Sequence, residues 1–539
     1  GDTDALLTRL AALGDRGKDP ALFRRLFTHR EYQVRLAALC TALEGIIGDA
    51  QQALAEAKEW LTWKRAQDFW VQTERLKDVY WTLKHDTLAN IDKIKDLAYP
   101  ADLAPGDMPG HAVDLLREIN LVFNNLDRLE VRGRDSAGIS VLSVLDKDVF
   151  SRFRQALADE DRLQELERRV NDPVLVNGGI RINEDCAAGV SVAFVFKVAA
   201  EIGRLGDNVA FLREQVRKDA IFSRLLTLPR VHHSVLAHTR WASVGEISEA
   251  NCHPVENDDR QRGIIHACLN GDIDNYHHLS RAYETETGKT IDPSISTDTK
   301  IIPLRIEQKL ENTESVAEAF RQTVSEFDGS HAIAMHTDLA PGKMFLAQRG
   351  SGQAIFTGLA GSCYVPASEI YGFVEQAGRF LKLDGEKTVD GVSGETQGQI
   401  MILDAHGTGG VGQITAMYYD GTPIVLSETD IKDAEIRSRD IDRQDYPHYF
   451  LKEISESPRS VEQTIQGRLS IQEENGEPRP RILLDGSVIP DRLAEALKNH
   501  RISRIFFIGQ GTAGVAASGC TTLLRDYLQQ NAIRVAAFK

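Results

Sequence analysis

The chain has 539 residues, and at ~100–200 residues per domain that length suggests roughly three domains. A composition of 42% apolar and 26% charged residues excludes a wholly disordered or collagen-like chain. With 63 Lys+Arg against 79 Asp+Glu the net charge is −16, which disfavours nonspecific adhesion to nucleic acid. Six cysteines make no disulfide framework and point to a reducing cytoplasm. The longest apolar run, Ala187 to Phe196, is broken by Lys197, far short of the ~20 residues a membrane span needs. The chain starts Gly-Asp rather than Met and stops at Lys539 just after a strand-like run, so both ends read as cut.

Residues 1 to about 95 read as helix, with Leu54, Leu61, Leu76, Val79, Leu83, Leu88 and Ile91 recurring mostly at three- to four-residue steps or their multiples. Trp60, Trp63, Trp70 and Trp81 fall in this stretch, either as the aromatic core of a helical hairpin or as anchors of a docking surface. Pro100 to Pro109 is a linker by composition. His111 to Leu129 is helical, ISVLSVL strand-like, residues 146 to about 170 charged helix, and Asp207 to Leu226 helix again. From Val231 to about Ile424 short β-like runs separated by Gly/Asp turns predict packed antiparallel sheets with few helices between them. Residues 431–480 are charged and partly helical. After Arg481 come a helix (Asp491 to Lys498), a strand (Arg504 to Ile508), a glycine loop, a helix to about Gln529 and a strand (Ile533 to Phe538). That last piece is an α/β unit.

Three clusters could carry chemistry. In His238-Thr-Arg-Trp-Ala-Ser-Val-Gly245 the guanidinium of Arg240 could clamp a carboxylate, or be a surface Arg beside a core Trp. In Leu269-Asn-Gly-Asp272 the Asn270 amide and the Gly271 N–H could form an oxyanion hole, or the pair could be a hairpin turn. In Ser296-Thr-Asp-Thr-Lys300, Asp298 could pair with a substrate ammonium or cap the following helix. Cys252, His253, His266 and Cys268 suggest zinc at first sight, but neighbouring strand side chains point to opposite faces, and we read no metal site there.

Taken in order, Arg132-Gly-Arg-Asp-Ser-Ala-Gly138, HTRWASVGE with NCHP, LNGDIDNY and STDTK resemble the glutaminase motifs of the class II, N-terminal-nucleophile glutamine amidotransferases. Tyr446-Pro-His-Tyr-Phe-Leu-Lys-Glu-Ile454 and Ile508-Gly-Gln-Gly-Thr-Ala-Gly514 look like the entry to the sugar-isomerase half of the sugar-phosphate branch and its first phosphate loop. The likeness covers about 111–144 and 231–539.

The resemblance implies an α/β fold: a four-layer αββα glutaminase with helical insertions, followed by the start of a Rossmann-like sugar-isomerase domain. Residues 1–110 would be a helical insertion and linker, and 111–430 the glutaminase, with a helical insertion about 145–230. Residues 431–480 would be an interdomain linker with an entry helix, and 481–539 the truncated isomerase start. Arg240 would bind the glutamine α-carboxylate and Asp298 its ammonium; Asn270 and Gly271 would hold the oxyanion; Trp241 would gate the ammonia path; Ser243 would keep a hydroxyl where the family has Thr. Gly511 and Thr512 would hold the sugar phosphate, whereas a dinucleotide loop would want an acidic residue about 20 positions on, which is absent before Lys539. Val244 replaces a family His, Arg134 a Tyr and Ala513 a Ser. The family nucleophile is a Cys at the mature N-terminus, expected here upstream of Gly1. The implied partners are glutamine and fructose 6-phosphate or a related sugar phosphate, in a homo-oligomer, with no cofactor, nucleic acid or membrane. A different acceptor, or an inactive glutaminase serving as regulator or scaffold, are the alternative readings.

Overall fold

The structure, a computed structural model, describes residues 2–56, 63–98, 105–199, 204–259, 262–350, 352–361, 363–386, 397–407, 409–444, 446–465, 469–474, 477–482, 489–528 and 533–538. The chain divides into two compact units, 1–442 and 443–539. No helix among the described residues is long and apolar enough to cross a membrane.

The first unit opens with helices α1 (Asp2–Gly17), α2 (Pro20–Thr28), α3 (Arg30–Glu56), α4 (Trp63–Trp81) and α5 (Asn90–Leu97), a π-helix at Thr82–Ala89 lying between the last two. The amphipathic spacing of α1, α3, α4 and the π-helix buries an aliphatic core of Leu7, Leu43, Ile47, Leu76, Val79 and Leu83. Of the four tryptophans, Trp81 is buried and stacks on His85 at 3.8 Å, Trp70 is half-buried, and Trp60 and the side chain of Trp63 lie outside the described residues. Helices α2 and α5 instead pack Phe23, Phe27, Ile91 and Ile94 onto α6 (Gly110–Leu129), which spans the expected helix from His111 to Leu129.

Two antiparallel sheets face each other beneath α6. The smaller has the order β2 (Gly179–Asn183), β3 (Val190–Ala199), β1 (Ser136–Leu145), β4 (His232–Arg240). The larger runs from β14 (Pro423–Ile424) through β13 (Ile414–Tyr418), β12 (Gln399–Asp404), β8 (Lys343–Arg349), β7 (His331–Thr337) and β6 (Ile265–Gly271) to β5 (Val255–Glu256). Ser140 of β1 meets His266 of β6 at 2.7 Å and His336 of β7 at 3.0 Å, so the inner layer is polar where the sheets touch. The outer face of the smaller sheet (Ile139, Val141, Phe194, Phe196) packs on α6, α9 (Asp207–Lys218) and α10 (Ala220–Leu226). The outer face of the larger sheet (Ala267, Ile333, Phe345) packs on α11 (Tyr276–Thr287), α12 (Ile301–Lys309) and α13 (Val316–Ser325). The layers are therefore α, β, β, α. A third sheet, β10 (Cys363–Ala367), β9 (Phe356–Ala360), β11 (Arg379–Lys382) and β15 (Lys432–Asp433), completes the unit.

Two expectations are corrected. Residues 145–230 are not a helical insertion throughout: α7 (Lys147–Asp159) and α8 (Leu163–Asn171) are followed by β2 and β3, and β3 pairs with β1 over all ten of its residues. A strand buried on both faces reads as a continuous apolar run, which periodicity cannot distinguish from buried helix. The stretch expected to hold few helices contains α11, α12 and α13, amphipathic segments that close the outer face of the larger sheet.

The second unit contains α15 (Tyr449–Ile465), the hairpin β16 (Leu469–Glu474) and β17 (Glu477–Ile482), α16 (Asp491–Lys498), and β18 (Arg504–Ile508), α17 (Thr512–Tyr527), β19 (Arg534–Phe538), with β18 and β19 parallel. In the first unit, α14 (Ser438–Ile441) precedes the division between the two.

Candidate active site

A cavity of about 860 Å³ runs along the outer edge of β4. Every residue from Val231 to Trp241 borders it, as does every residue from Cys363 to Ser368 of β10 and the turn after it. Both are terminal strands in their sheets, and no strand among the described residues pairs with the free edge of either. One face of α6 roofs the cavity, and inner-face side chains of the larger sheet, Ala332, Ala334, Leu346 and Leu403 among them, floor it. It is a slot between two unpaired strand edges, and the eight steps of ~3.3 Å between the nine residues of β4 give it a length of roughly 26 Å.

Arg240, Trp241, Ser243, Asn270, Gly271 and Asp298 all line one end of this slot. Arg240 is buried at 5% exposure while Trp241 is 71% exposed, the reverse of a surface Arg beside a core Trp. Burial lowers the Arg240 pKa, yet its guanidinium stays charged. It donates to the carbonyls of Glu246 (3.4 Å) and Val244, which curls the following loop around it. The Arg132–Gly138 run supports this loop from behind: Asp135 N–H donates to Arg240 O at 3.1 Å, and the Asp135 carboxylate accepts from Ala242 N–H at 2.9 Å. Ser243 donates to Asp272 at 2.6 Å.

Asn270 and Gly271 are not a hairpin turn; they end β6, paired with Ala332 and His331 of β7. Asn270 shares the inner face of β6 with His266 and Cys268, because alternate strand residues point the same way. Gly271 has φ +95, and a Cβ there would press on Ser330 O, so this position needs glycine. Asp298 opens a 3-10 turn before α12. It is buried, its Oδ2 accepts from Ile273 N–H at 2.9 Å, and burial raises its pKa from the ordinary carboxylate value. A nearby cation such as an ammonium would favour its charged form.

The four residues weighed for zinc diverge. Cys252 lies beside Lys197 and Ser136, His253 bonds to Thr299, and His266 bonds to Ser140. Among the described residues no group of three or more His, Cys, Asp or Glu is arranged to hold a metal. Cys268 and Cys363 border the slot, but burial raises both thiols, Cys363 to about 11, so neither is poised as a thiolate. In the second unit Gly511 (φ +59) caps the start of α17 at Thr512.

The sequence reading missed several residues of this end. Asn251 was given no role and His253 was weighed only for zinc, yet both are tied to the Asp298 loop. Gly245 (φ +86) lets its loop approach Thr297 N, and Glu246 N–H donates to Ser296 Oγ at 3.2 Å. The signal available for the first pair was the i, i+2 spacing in Asn251-Cys252-His253.

The fold and slot define an αββα sandwich with a polar, buried site at one end of an apolar groove. No family model matches the chain. Curated relatives are named glutamine–fructose-6-phosphate aminotransferase (isomerizing). That of Geobacillus kaustophilus is 25% identical over 393 residues, 73% of this chain and 48% of the relative. That of Halalkalibacterium halodurans is 28% identical over 295 residues, 55% of this chain and 42% of the relative. One from Bacillus cereus is 30% identical over 242 residues, 45% and 35% respectively. The chain spans about half the length of the curated relatives it matches. Among solved structures, an allosteric regulatory enzyme of purine biosynthesis matches at 14% identity and TM-score 0.34, over 56% of this chain and 46% of that one. The glutamine phosphoribosylpyrophosphate amidotransferase of B. subtilis matches at 15% identity and TM-score 0.32, over 52% and 49%.

Proposed function

We propose that the slot is the glutaminase site of a glutamine-dependent amidotransferase that transfers ammonia to a keto-sugar phosphate, fructose 6-phosphate to glucosamine 6-phosphate in the first instance, in a reducing cytoplasm. The observation that carries this reading is the convergence of Arg240, Asn270, Gly271 and Asp298 on one end of a slot bounded by two unpaired strand edges.

Arg240 takes the α-carboxylate of glutamine through its remaining guanidinium N–H groups, and Asp298 takes the α-ammonium. The side-chain amide then points to Asn270 and Gly271, whose N–H groups stabilise the oxyanion that forms when a thiolate attacks the carbonyl. The nucleophile is a Cys at the first residue of a strand that fills the slot, supplied by a segment before Gly1, with its own α-amine as base. A strand seated there would satisfy the free edges of β4 and β10 together, joining the smaller sheet to the third. Attack gives a glutamyl thioester and ammonia, and water then releases glutamate. Trp241 gates the path of the ammonia, which must avoid bulk water because protonation to ammonium removes its nucleophilic lone pair. In the second unit, free N–H groups of the loop at Gly511 and the hydroxyl of Thr512 hold the sugar phosphate.

A different sugar-phosphate acceptor is favoured only by Ala513, which offers no hydroxyl beside Thr512. The test is glutamate release from glutamine by the complete natural protein, with and without fructose 6-phosphate. Sugar-stimulated release with glucosamine 6-phosphate appearing supports the whole reading. Glutamate without amino sugar retains the glutaminase and changes the acceptor; no glutamate leaves an inactive glutaminase serving as regulator or scaffold.

A further inference from the structure

We propose that Asn251 and His253 are positioning residues that lock the ammonium-binding carboxylate of Asp298 to the strand carrying the oxyanion donors. The inference rests on the slot being a glutamine site and assigns a role to side chains that touch no substrate.

Asn251 is fully buried. Its Oδ1 accepts from the N–H groups of Ser296 (2.7 Å) and Thr297 (2.9 Å), and its Nδ2 donates to Ser294 O (3.2 Å) and Ser248 Oγ (2.9 Å). One side chain thus fixes the backbone of the residues leading into Asp298. Cys252 turns to the other side, toward Lys197 and Ser136. His253, next in the alternation, returns to the Asp298 loop.

The His253 ring makes two contacts that no other side chain here combines. Its Nδ1 accepts from the N–H of Leu269, at 3.5 Å, the residue before Asn270. Its Nε2 meets Thr299 Oγ1 at 2.7 Å, and that hydroxyl lies 3.4 Å from Asp298 Oδ1. An imidazole accepting at Nδ1 carries its proton at Nε2, so it donates to Thr299 and leaves the threonine proton for the carboxylate. The ring therefore connects the backbone of β6, which ends in Asn270 and Gly271, to Asp298. Only the neutral ring can do both. Burial holds its pKa well below the ordinary histidine value, reinforced by His238, Arg240 and Lys197. Held this way, the carboxylate and the oxyanion donors keep one spacing, the spacing between the two ends of a bound glutamine.

Three variants of the complete natural protein test this: His253→Gln, Thr299→Val and Thr299→Ser. The first measurement is amide hydrogen exchange over 269–273 and 296–300. Both segments are expected to exchange faster in His253→Gln and Thr299→Val, and neither in Thr299→Ser, which keeps the hydroxyl. The second is kcat/KM for glutamine divided by that for 4-carbamoylbutanoate, which lacks the α-amino group. Loss of Asp298 positioning should lower that ratio roughly tenfold or more in His253→Gln and Thr299→Val, with Thr299→Ser restoring it. A packing role alone would lower thermal stability and slow both substrates equally. An unchanged ratio, or exchange unchanged over 296–300, overturns the proposal. If the wild-type protein released no glutamate, the glutaminase reading would fall, and the exchange measurement alone would still decide the lock.

Discussion

At the Arg240 end of the slot the charged side chains are embedded in buried structure, whereas the glycine loop of the second unit, Gly509 to Gly514, adjoins one strand pair and has exposed apolar side chains on either side. Arg240, Asp298 and Asn251 are all buried, and hydrogen bonds tie their loops to β6 and to one another. Ile508 and Val515, flanking the glycine loop, are 81% and 65% exposed. The first region is held together by its own hydrogen bonds, and the proposed reading assigns its donors and acceptors to a small zwitterion. The second offers backbone N–H groups and one hydroxyl, which suit a phosphate without selecting the rest of the molecule. In the proposed reading the first site selects its ligand by several fixed contacts and the second accepts any phosphate its backbone donors can reach.

Perturbing the rigid site should give the largest effects. Arg240→Ala removes one half of a buried ion pair with the substrate and should raise the KM for glutamine by the equivalent of about 2–5 kcal/mol, read in steady-state kinetics. A change under tenfold would show that another cation holds the carboxylate. Asn270→Ala should instead lower kcat, roughly 10²–10³-fold, with little change in KM, since an oxyanion donor acts mainly in the transition state. An equal rise in KM would assign Asn270 to ground-state binding.

Asp86 does not border the slot and serves as a control on buried charge. Burial, followed by the negative charge of Glu375, raises its pKa to about 7, against contacts from Ser438 Oγ at 2.6 Å, Arg128 and Lys18. The folded protein therefore holds a proton that the unfolded chain, with Asp near ~3.9, has released. Asp86's contribution to stability is complete below about pH 4 and is lost as pH rises through about 7. Asp86→Asn stays neutral and can still accept from Ser438. Its stability advantage over wild type should grow between pH 5 and 8 to on the order of a few kcal/mol, measured by denaturant melts. A flat or shrinking margin would contradict the buried, protonated carboxyl. The smallest effect is expected for Ser243→Ala, which breaks a solvent-exposed hydrogen bond to Asp272 and should cost about 1 kcal/mol or less in kcat/KM.

Most of the fold was legible where a period was clear. The apolar spacing marked the helix found as α6, and turn residues around short β-like runs marked β4, β6, β7, β8 and β12. The strand β3 was lost because both of its faces are covered and its sequence shows no alternation. The candidate site was legible through residue types in order: Arg240, Asn270, Gly271 and Asp298, which lie far apart in sequence, do border one slot. What sequence could not supply was the second layer. Asn251 and His253 bond to residues some 45 positions away, and their i, i+2 spacing hints at a shared face without naming that partner. The slot itself was equally hidden, because it is defined by two unpaired strand edges and by no motif.

The central claim is that the Arg240 end of the slot binds glutamine by its two charged ends. Isothermal titration of glutamine into the complete natural protein, and into its Arg240→Ala and Asp298→Asn variants, tests that most directly. Saturable binding by the wild type that each variant weakens at least roughly tenfold is the predicted result. Binding that survives both substitutions unchanged, or no binding by the wild type, would contradict it.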